Sequence, residues 1–362
     1  MNTLGNKLRV TIFGQSHGEA IGCVVDGLPS GFRPDMDRLA AFMARRAPGR
    51  SELSTKRKES DTPQIISGMV DGVLCGAPLC AIIENTDHNS VDYAALKNIP
   101  RPSHADFTAR MKYGESCDLR GGGQFSGRLT APLCLAGGIA LQILESKGIH
   151  IGAHIAQIAS VRDVTPDFAA IDAASLNQLG QKALPVFDNT AILAMHQTIE
   201  NAAQDGDSVG GIVRCFAVGL PAGIGEPMFG GVENRLAHAL FGIPAVRGVS
   251  FGDGFDAAEM RGSIHNDPFF VENSRVVTQT NHAGGVLGGI TTGMPLVVNV
   301  AFKPTPSIAR EQSSVDLSTM ENTTLSIHGR HDPCIVPRAV PVVEAVMALT
   351  VLDLLMEDNT WS

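Results

Sequence analysis

The chain has 362 residues, of which 44% are hydrophobic and 18% charged, so it is long enough to bury a large core. Its net charge of −9, with two Tyr and one Trp, argues against nucleic-acid binding, which favours a basic surface and stacking aromatic side chains. Glu344 and Asp353 interrupt the longest apolar run, so no membrane span is predicted. No secretion signal is apparent near the N-terminus, and we therefore expect a cytoplasmic protein.

The seven cysteines are odd in number and show no CxxC spacing, which argues against a disulfide framework and a zinc site. Most have apolar neighbours and are expected in the core. Because no repeat, low-complexity tract or Pro/Ser-rich linker interrupts the chain, a single domain over residues 1–362 is expected.

Two short strands, 9–13 and 22–25, are predicted on either side of the turn Gly14-Gln15-Ser16-His17-Gly18. The turn fits the G-x-S-x-G pattern of a hydrolase nucleophile elbow, but that elbow needs a helix directly after the serine. The residues that follow indicate a strand and a turn instead. Ser16 and His17 would stand side by side at a strand end; a surface turn with an idle histidine is the alternative.

A helix is predicted over residues 37–46, and it opens a cationic stretch in an otherwise acidic chain. Arginine side chains bind phosphate and carboxylate groups through two parallel hydrogen bonds, so the stretch suits a multiply anionic small molecule. A solvated loop is the alternative. The cationic residues are Arg45, Arg46, Arg50, Lys56, Arg57 and Lys58.

Residues 101–106 place His104 between Arg101 and Asp106, in a segment that Pro102 keeps extended or turned. An imidazole beside a carboxylate can act as an acid near neutral pH. A histidine with a structural role, or none, is the alternative here.

Residues 120–128 begin with Arg120 and three glycines and end with Arg128, just before a predicted buried helix over 129–147. The segment is neither a Walker A loop nor a G-x-G-x-x-G motif. Bare glycine backbone near a helix N-terminus, with an arginine on either side, indicates an anion-binding loop.

Strands are predicted over 210–218 and 296–302, and the second leads from a glycine-rich segment into the turn Lys303-Pro304-Thr305-Pro306-Ser307.

Residues 328–334 combine His, Arg and Asp before Arg338 and a second buried helix, predicted over 341–356. A metal site is the competing interpretation of that segment, and its spacing does not support one. Together the elements predict helices between sheets.

These six segments together resemble the chorismate synthase family over about residues 9–355, most specifically at 101–108, 281–308 and 329–343. The resemblance implies an α+β fold, a sandwich of antiparallel β-sheets around a buried helical layer, and a homotetramer. It implies a phosphate-lyase that converts 5-enolpyruvylshikimate 3-phosphate to chorismate by 1,4-anti elimination, with reduced FMN. NADPH or a separate flavin reductase would keep the flavin reduced.

The resemblance also implies residue roles. His17 would protonate the departing phosphate and His104 would act at the flavin, while Asp332 and Ser16 would help the flavin nitrogen that takes the ring hydrogen. Substrate or NADP arginines would be Arg45, Arg46, Arg50, Arg101, Arg128 and Arg338. Flavin contacts would be Gln124, Phe125, Ser126, Pro244, Ala245, Gly288, Lys303, Pro304, Thr305, Pro306, Ser307 and Arg330.

Four positions depart from the commonest family residues: Gln15 replaces Glu, the pair Gln124-Phe125 replaces Arg-Ser, Leu129 replaces Glu, and Pro244 replaces Asn. The loss of one cationic contact bears on the strength of flavin binding, not on the reaction class. Besides the flavin-dependent lyase, two hypotheses stand: a serine hydrolase built on Ser16, and a non-catalytic binder of phosphorylated metabolites.

Overall fold

The structure, a computed structural model, describes residues 2–49, 61–85, 98–327 and 332–358. The helices are α1 Met36–Arg46, α2 Asp106–Tyr113, α3 Thr130–Glu145, α4 Ala173–Gln181, α5 Thr190–Gln204, α6 Val232–Leu240, α7 Gly262–His265 and α8 Val336–Glu357. The strands are β1 Thr3–Leu4, β2 Arg9–Gly14, β3 Ala20–Asp26, β4 Gln64–Ser67, β5 Met69–Val70, β6 Val73–Leu74, β7 Leu79–Glu84, β8 His150–Ile158, β9 Val161–Arg162, β10 Gly211–Val218, β11 Val246–Phe251, β12 Phe269–Glu272, β13 Arg275–Thr278, β14 Val286–Leu287, β15 Ile290–Thr291, β16 Leu296–Phe302, β17 Gln312–Asp316 and β18 Glu321–Leu325.

The strands form two five-stranded antiparallel sheets, with orders β1-β2-β3-β7-β4 and β11-β16-β10-β8-β9, and four separate hairpins. Runs of β-branched residues at the centre of each sheet, such as Leu296–Phe302, favour strands buried on both faces. The strands predicted over 9–13, 22–25, 210–218 and 296–302 are confirmed as β2, β3, β10 and β16.

A helical layer fills the space between the sheets. Helices α3 and α8 pack against each other, α3 also contacts β2, β3 and β7, and α8 contacts β8 and β10. Gly137 of α3 lets the two helices approach closely, because a Cβ there would collide with Ala345 of α8. The predicted α+β sandwich around a buried helical layer is therefore confirmed.

The last helix corrects one predicted boundary. Helix α8 begins at Val336, five residues before the predicted start, so Pro337 lies in its first turn and Pro341 lies inside it. An interior proline removes one hydrogen bond, but burial of almost the whole helix outweighs that loss. Arg338 consequently projects from the first turn of α8 and not from a preceding loop.

By length and composition, two helical segments could cross a membrane, contrary to the expectation from the sequence: Gly127–Glu145 and Val336–Glu357. Of the residues in the most apolar stretch of each segment, 83% and 94% respectively are buried inside the protein. That is the environment of core helices in a globular fold.

All seven cysteines are free thiols, and four of them are buried, as expected for small core residues. Burial raises the pKa of Cys23, Cys134 and Cys334 to about 12, so these thiols are not ionised at neutral pH.

Candidate active site

The turn over residues 14–18 joins β2 to β3 and carries Ser16 and His17 into the protein. The two residues are 5% and 4% exposed, and Ser16 Oγ lies 3.1 Å from Nδ1 of His17. Gly14 has a φ of +98°, which glycine adopts without strain. The turn is thus not a surface turn. Because β3 starts at Ala20, no helix follows Ser16, and the nucleophile-elbow interpretation is wrong.

The three glycines at 121–123 have φ values of +58°, +91° and +53°, all in the left-handed region. A Cβ on Gly121 would collide with the imidazole of His17, and one on Gly122 would lie 3.3 Å from both Cε1 and Nε2 of His104. Adjacent residues of one loop therefore touch both predicted catalytic histidines. Close approach to the two rings is a physical reason for glycine at these positions.

The two arginines that bracket this loop differ in placement. Arg128 is buried, whereas the side chain of Arg120 is 53% exposed and pairs with Asp118, Nη2 to Oδ2, at 2.8 Å. The anion-binding loop stays a prediction, and of its two flanking arginines only Arg128 is buried.

His104 belongs to a buried network that also contains Arg101 and Asp106. The carboxylate of Asp106 accepts hydrogen bonds from Nε and Nη2 of Arg101 at 2.7 and 2.8 Å. Its Oδ1 lies 2.6 Å from Nδ1 of His104. Nη1 of Arg101 donates to Oγ of Ser307 at 3.3 Å, which ties this network to the turn after β16.

The charge state of Asp106 follows from these contacts. Burial raises the pKa of its carboxyl group, but hydrogen bonds from Arg101 and His104 outweigh burial and hold the pKa well below its usual value. The carboxylate of Asp106 and Nη2 of Arg101 both lie within hydrogen-bond distance of Nδ1 of His104, at 2.6 and 3.1 Å, and together they fix the ring with its Cε1–Nε2 edge towards Gly122.

Three arginines that lie far apart in the sequence meet around two carboxylates. Nη1 of Arg46 donates to Oδ2 of Asp61 at 2.5 Å, and Nη1 of Arg128 donates to Oδ1 of the same carboxylate. Arg338 pairs with Asp332, and its Nε donates to the backbone carbonyl of Arg46 at 2.9 Å. We call these five residues the arginine cluster.

Among the described residues of the arginine cluster, three guanidinium groups converge on two carboxylates. Burial lowers the pKa of Arg46, the carboxylate of Asp61 raises it, and the neighbouring charge of Arg338 lowers it again. Converging guanidinium groups present several donors in a geometry that suits a phosphate or a carboxylate.

Asn85 connects this cluster to the turn that carries His17. Its Nδ2 donates to the carbonyls of Gln15 and Gly18, and its Oδ1 accepts from Nε of Arg128. No sequence motif pointed to Asn85 or Asp61. The available signal was weak: a polar residue directly after the apolar strand β7.

The turn after β16 begins where Lys303 N donates to the carbonyl of Ala245 at 3.0 Å, and Ala245 has a φ of +73°. Burial lowers the pKa of Lys303, as does the nearby Arg247. Within the described residues, Oγ1 of Thr305 is buried without a hydrogen-bond partner. An unsatisfied buried hydroxyl in the same turn as Lys303 fits a polar, anionic ligand such as a flavin nucleotide.

A family model described as chorismate synthase matches residues 8–356. The chorismate synthase of Korarchaeum cryptofilum is 45% identical, covering 97% of this chain and 96% of its own length. That of Thermococcus gammatolerans is 46% identical, covering 99% and 98%. The chain belongs to the chorismate synthase family. A crystal structure of chorismate synthase, 26% identical, matches 98% of this chain and 93% of its own with a TM-score of 0.77.

Members of the chorismate synthase family are carbon–oxygen lyases that act on phosphates, and this chain is an enzyme of that class. They catalyse the chorismate-forming step of the shikimate pathway, which leads to the aromatic amino acids. Within the described ranges, no group of three or more His, Cys, Asp or Glu residues could hold a metal ion.

The structure brings together most of the residues that the resemblance to chorismate synthase implied. Ser16, His17 and His104 surround residues 121–123, which we call the glycine loop. Arg46, Arg128, Asp332 and Arg338 belong to the arginine cluster. Arg101 and the turn that contains Lys303, Pro304, Thr305, Pro306 and Ser307 meet at Ser307.

Other predicted residues lie elsewhere. Arg45 directs its guanidinium to Glu344 of α8, at 2.7 and 2.9 Å, and not to the arginine cluster. Gly288 occupies the exposed tip of the β14–β15 hairpin, which is bonded to the start of α6. Arg50 and Arg330 lie outside the described residues.

The remaining predicted flavin positions flank the two loops already described. Gln124 and Phe125 end the 3₁₀ turn that contains the three glycines, and Oγ of Ser126 accepts from the backbone N of Arg128 at 3.2 Å. Pro244 precedes Ala245 in the half-buried turn before β11.

Proposed function

We propose that this enzyme converts 5-enolpyruvylshikimate 3-phosphate to chorismate and phosphate by a 1,4-anti elimination that requires reduced FMN. One arrangement carries the proposal, in which the predicted proton donor lies next to the arginine cluster. The glycine loop touches both His17 and His104, and Asn85 joins the turn of His17 to Arg128 of the arginine cluster. A proton donor next to an anion site is what a departing phosphate requires.

The arginine cluster would bind the anionic groups of the substrate. Guanidinium groups pair with phosphate and carboxylate through parallel hydrogen bonds, and burial strengthens that attraction. Arg46, Arg128 and Arg338 are already held in position by Asp61 and Asp332, so little side-chain entropy would be lost when an anion binds.

His17 would donate a proton to the leaving phosphate, with Ser16 orienting the ring through its contact with Nδ1. Both residues are buried, and exclusion of water strengthens each charge contact at the reacting centre. The glycine loop keeps the ring in place, because a side chain at Gly121 would displace it.

FMN would be held by Gln124, Phe125, Ser126, Pro244, Ala245, Arg330 and the turn from Lys303 to Ser307, with the unsatisfied hydroxyl of Thr305 as one contact. When bound, the reduced cofactor supplies electron density and accepts the ring hydrogen. His104, fixed by Asp106, would act at the flavin. Asp332 and Ser16 would support the flavin nitrogen.

We further propose that the enzyme is a cytoplasmic homotetramer that binds neither nucleic acid nor membrane. Its flavin would be reduced either with NADPH bound at the arginines or by a separate flavin reductase. Oxidation of NADPH by the purified protein, followed by absorbance with FMN present, distinguishes the two routes.

An anaerobic assay with dithionite-reduced FMN tests the proposed function. We expect chorismate and phosphate to form in equal amounts, with many turnovers for each flavin after one stoichiometric reduction. Oxidised FMN should support none. Turnover with oxidised flavin, or a yield that stops at one chorismate for each reduced flavin, would contradict the catalytic role of the cofactor.

The two alternative hypotheses predict different results in the same preparation. A serine hydrolase would be labelled at Ser16 by a fluorophosphonate, and we expect no label. A non-catalytic binder would retain the phosphorylated substrate unchanged under reducing conditions.

A further inference from the structure

Asn85 lies at the end of β7 and is 6% exposed. Its backbone N donates to the carbonyl of Glu19 at 3.0 Å, next to the last β3–β7 pair. Its Nδ2 donates to the carbonyls of Gln15 at 3.0 Å and Gly18 at 2.9 Å, and its Oδ1 accepts from Nε of Arg128 at 3.0 Å. Both donor hydrogens and the acceptor of the amide are thus in use.

The chemistry of this position is specific to asparagine. A carboxamide offers two donors and an acceptor in one small planar group, and the two carbonyls can only accept. An aspartate could still accept from Arg128, but it would face the carbonyls of Gln15 and Gly18 with negative charge and no donor. Glutamine would be one methylene too long for a buried site.

The contacts of Asn85 join two parts of the active site that otherwise lie on different elements. Gln15 and Gly18 flank Ser16 and His17 in their turn. Arg128 belongs to the arginine cluster, where it shares Asp61 with Arg46. A displacement of the amide would therefore move His17 relative to Arg128.

We propose that Asn85 is a positioning residue that holds the proton donor His17 in register with Arg128, so that both meet the same phosphate group. Asn85 acts through these neighbours and does not itself touch the reacting atoms. The inference rests on the proposed function in one respect, the assignment of His17 as the proton donor.

The test is Asn85→Asp, which keeps the shape and the acceptor and removes both donors. We expect kcat to fall about 10- to 100-fold, since small displacements of catalytic groups have effects of this size. The dissociation constant of FMN, measured by flavin fluorescence, should stay within about twofold of the wild-type value because Asn85 contacts no predicted flavin residue in the described structure.

Asn281→Asp is the matched control. Asn281 is 4% exposed and its Nδ2 also donates to two backbone carbonyls, of Pro295 at 2.8 Å and Phe168 at 3.3 Å. The same chemical change there should lower thermal stability without the loss of kcat in the folded protein. Should Asn85→Asp fail to fold, Asn85→Ala removes both donors, and the acceptor for Arg128 as well, without burying a new carboxylate.

A double-mutant cycle with His17→Ala separates positioning from a general structural role. If Asn85 acts through His17, Asn85→Asp should lower kcat by less than about threefold in the His17→Ala background. If the kcat losses of Asn85→Asp and His17→Ala multiply in the double variant, the positioning role is overturned. A wild-type kcat for Asn85→Asp or Asn85→Ala would overturn it as well, and in both cases the proposed function stands. A wild-type kcat for His17→Ala would overturn both the positioning role and the assignment of His17 as the proton donor, whereas the anaerobic assay tests the reaction itself.

Discussion

Two of the His–Asp pairs in the described part of the chain are chemically alike and differently placed. In one, Nδ1 of His104 lies 2.6 Å from Oδ1 of Asp106; in the other, Nδ1 of His154 lies 2.8 Å from Oδ2 of Asp163. In the first pair, His104 lies on a loop and Asp106 begins α2, beside Arg101 and the glycine loop, and the side chain of His104 is 16% exposed.

The second pair is enclosed. His154 projects from β8 with 0% exposure, and its ring contacts Phe187 at 4.7 Å and Phe216 at 5.9 Å between centroids. Asp163 also accepts hydrogen bonds from the backbone N of Phe187 and of Asp188, so it fastens a loop to the sheet.

The difference in surroundings predicts different roles for the two pairs. Of these two histidines, only His104 borders glycine backbone and an arginine that reaches the turn after β16, so we expect a ligand to reach this pair alone. His154 lies among aromatic rings, where its pair stabilises the fold.

Substitution of each histidine by alanine should produce opposite effects. We expect His104→Ala, and likewise His17→Ala, to fold normally and to lose about 100-fold or more in kcat, as is usual when a general acid or base is removed. His154→Ala should retain kcat in the folded fraction and lose about 2–4 kcal/mol of stability, because it leaves a cavity and takes the imidazole partner from a buried carboxylate.

Anaerobic chorismate formation and urea unfolding, measured on the same preparations, check both halves of this contrast. A similar loss of kcat in His104→Ala and His154→Ala would show that location does not distinguish the pairs.

The arginine cluster allows a second contrast within helix α1. We expect Arg46→Ala to weaken substrate binding about tenfold or more, the scale of a lost hydrogen bond between charged groups, and to change FMN affinity less. Arg38 is the control on the same helix, since its side chain is 56% exposed and pairs with Glu145. Separate titrations of substrate and FMN measure the two affinities in each variant. An unchanged substrate affinity in Arg46→Ala would remove this residue from the site.

The smallest expected effect concerns pH. Burial lowers the pKa of His154 in the folded protein, and the hydrogen bond to Asp163 only partly offsets it. The unfolded chain has the ordinary value of about 6.5, so below that pH the unfolded state binds a proton that the folded state does not. Stability should therefore fall as the pH drops from about 7 towards 5, by at most about 1.4 kcal/mol per pH unit for this one group.

His154→Gln isolates that contribution, because glutamine can still donate to Asp163 and does not titrate. The free energy of unfolding of this variant should depend less steeply on pH over the same range. Parallel curves for the wild type and the variant would exclude His154 as the source.

Local patterns predicted local structure well. The β2–β3 hairpin, α1 and the strands β10 and β16 follow from turn residues and from the periodicity of apolar side chains. Helix α8 starts five residues before its predicted start, because Pro337 and Pro341 both suit the first turn of a helix. Burial against α3 and the second sheet, which sequence periodicity does not reveal, decides between them.

By itself, the sequence determined the family and the motifs that carry Ser16, His17, His104 and Asp332. Only the tertiary structure decided which charged groups meet. Arg45 and Arg46 are neighbours in the sequence, but successive residues of a helix point about 100° apart. Arg45 therefore meets Glu344, where α1 packs on α8, and Arg46 meets Asp61 beside Arg128. Those partners depend on how distant segments pack, and no local pattern of residues encodes that.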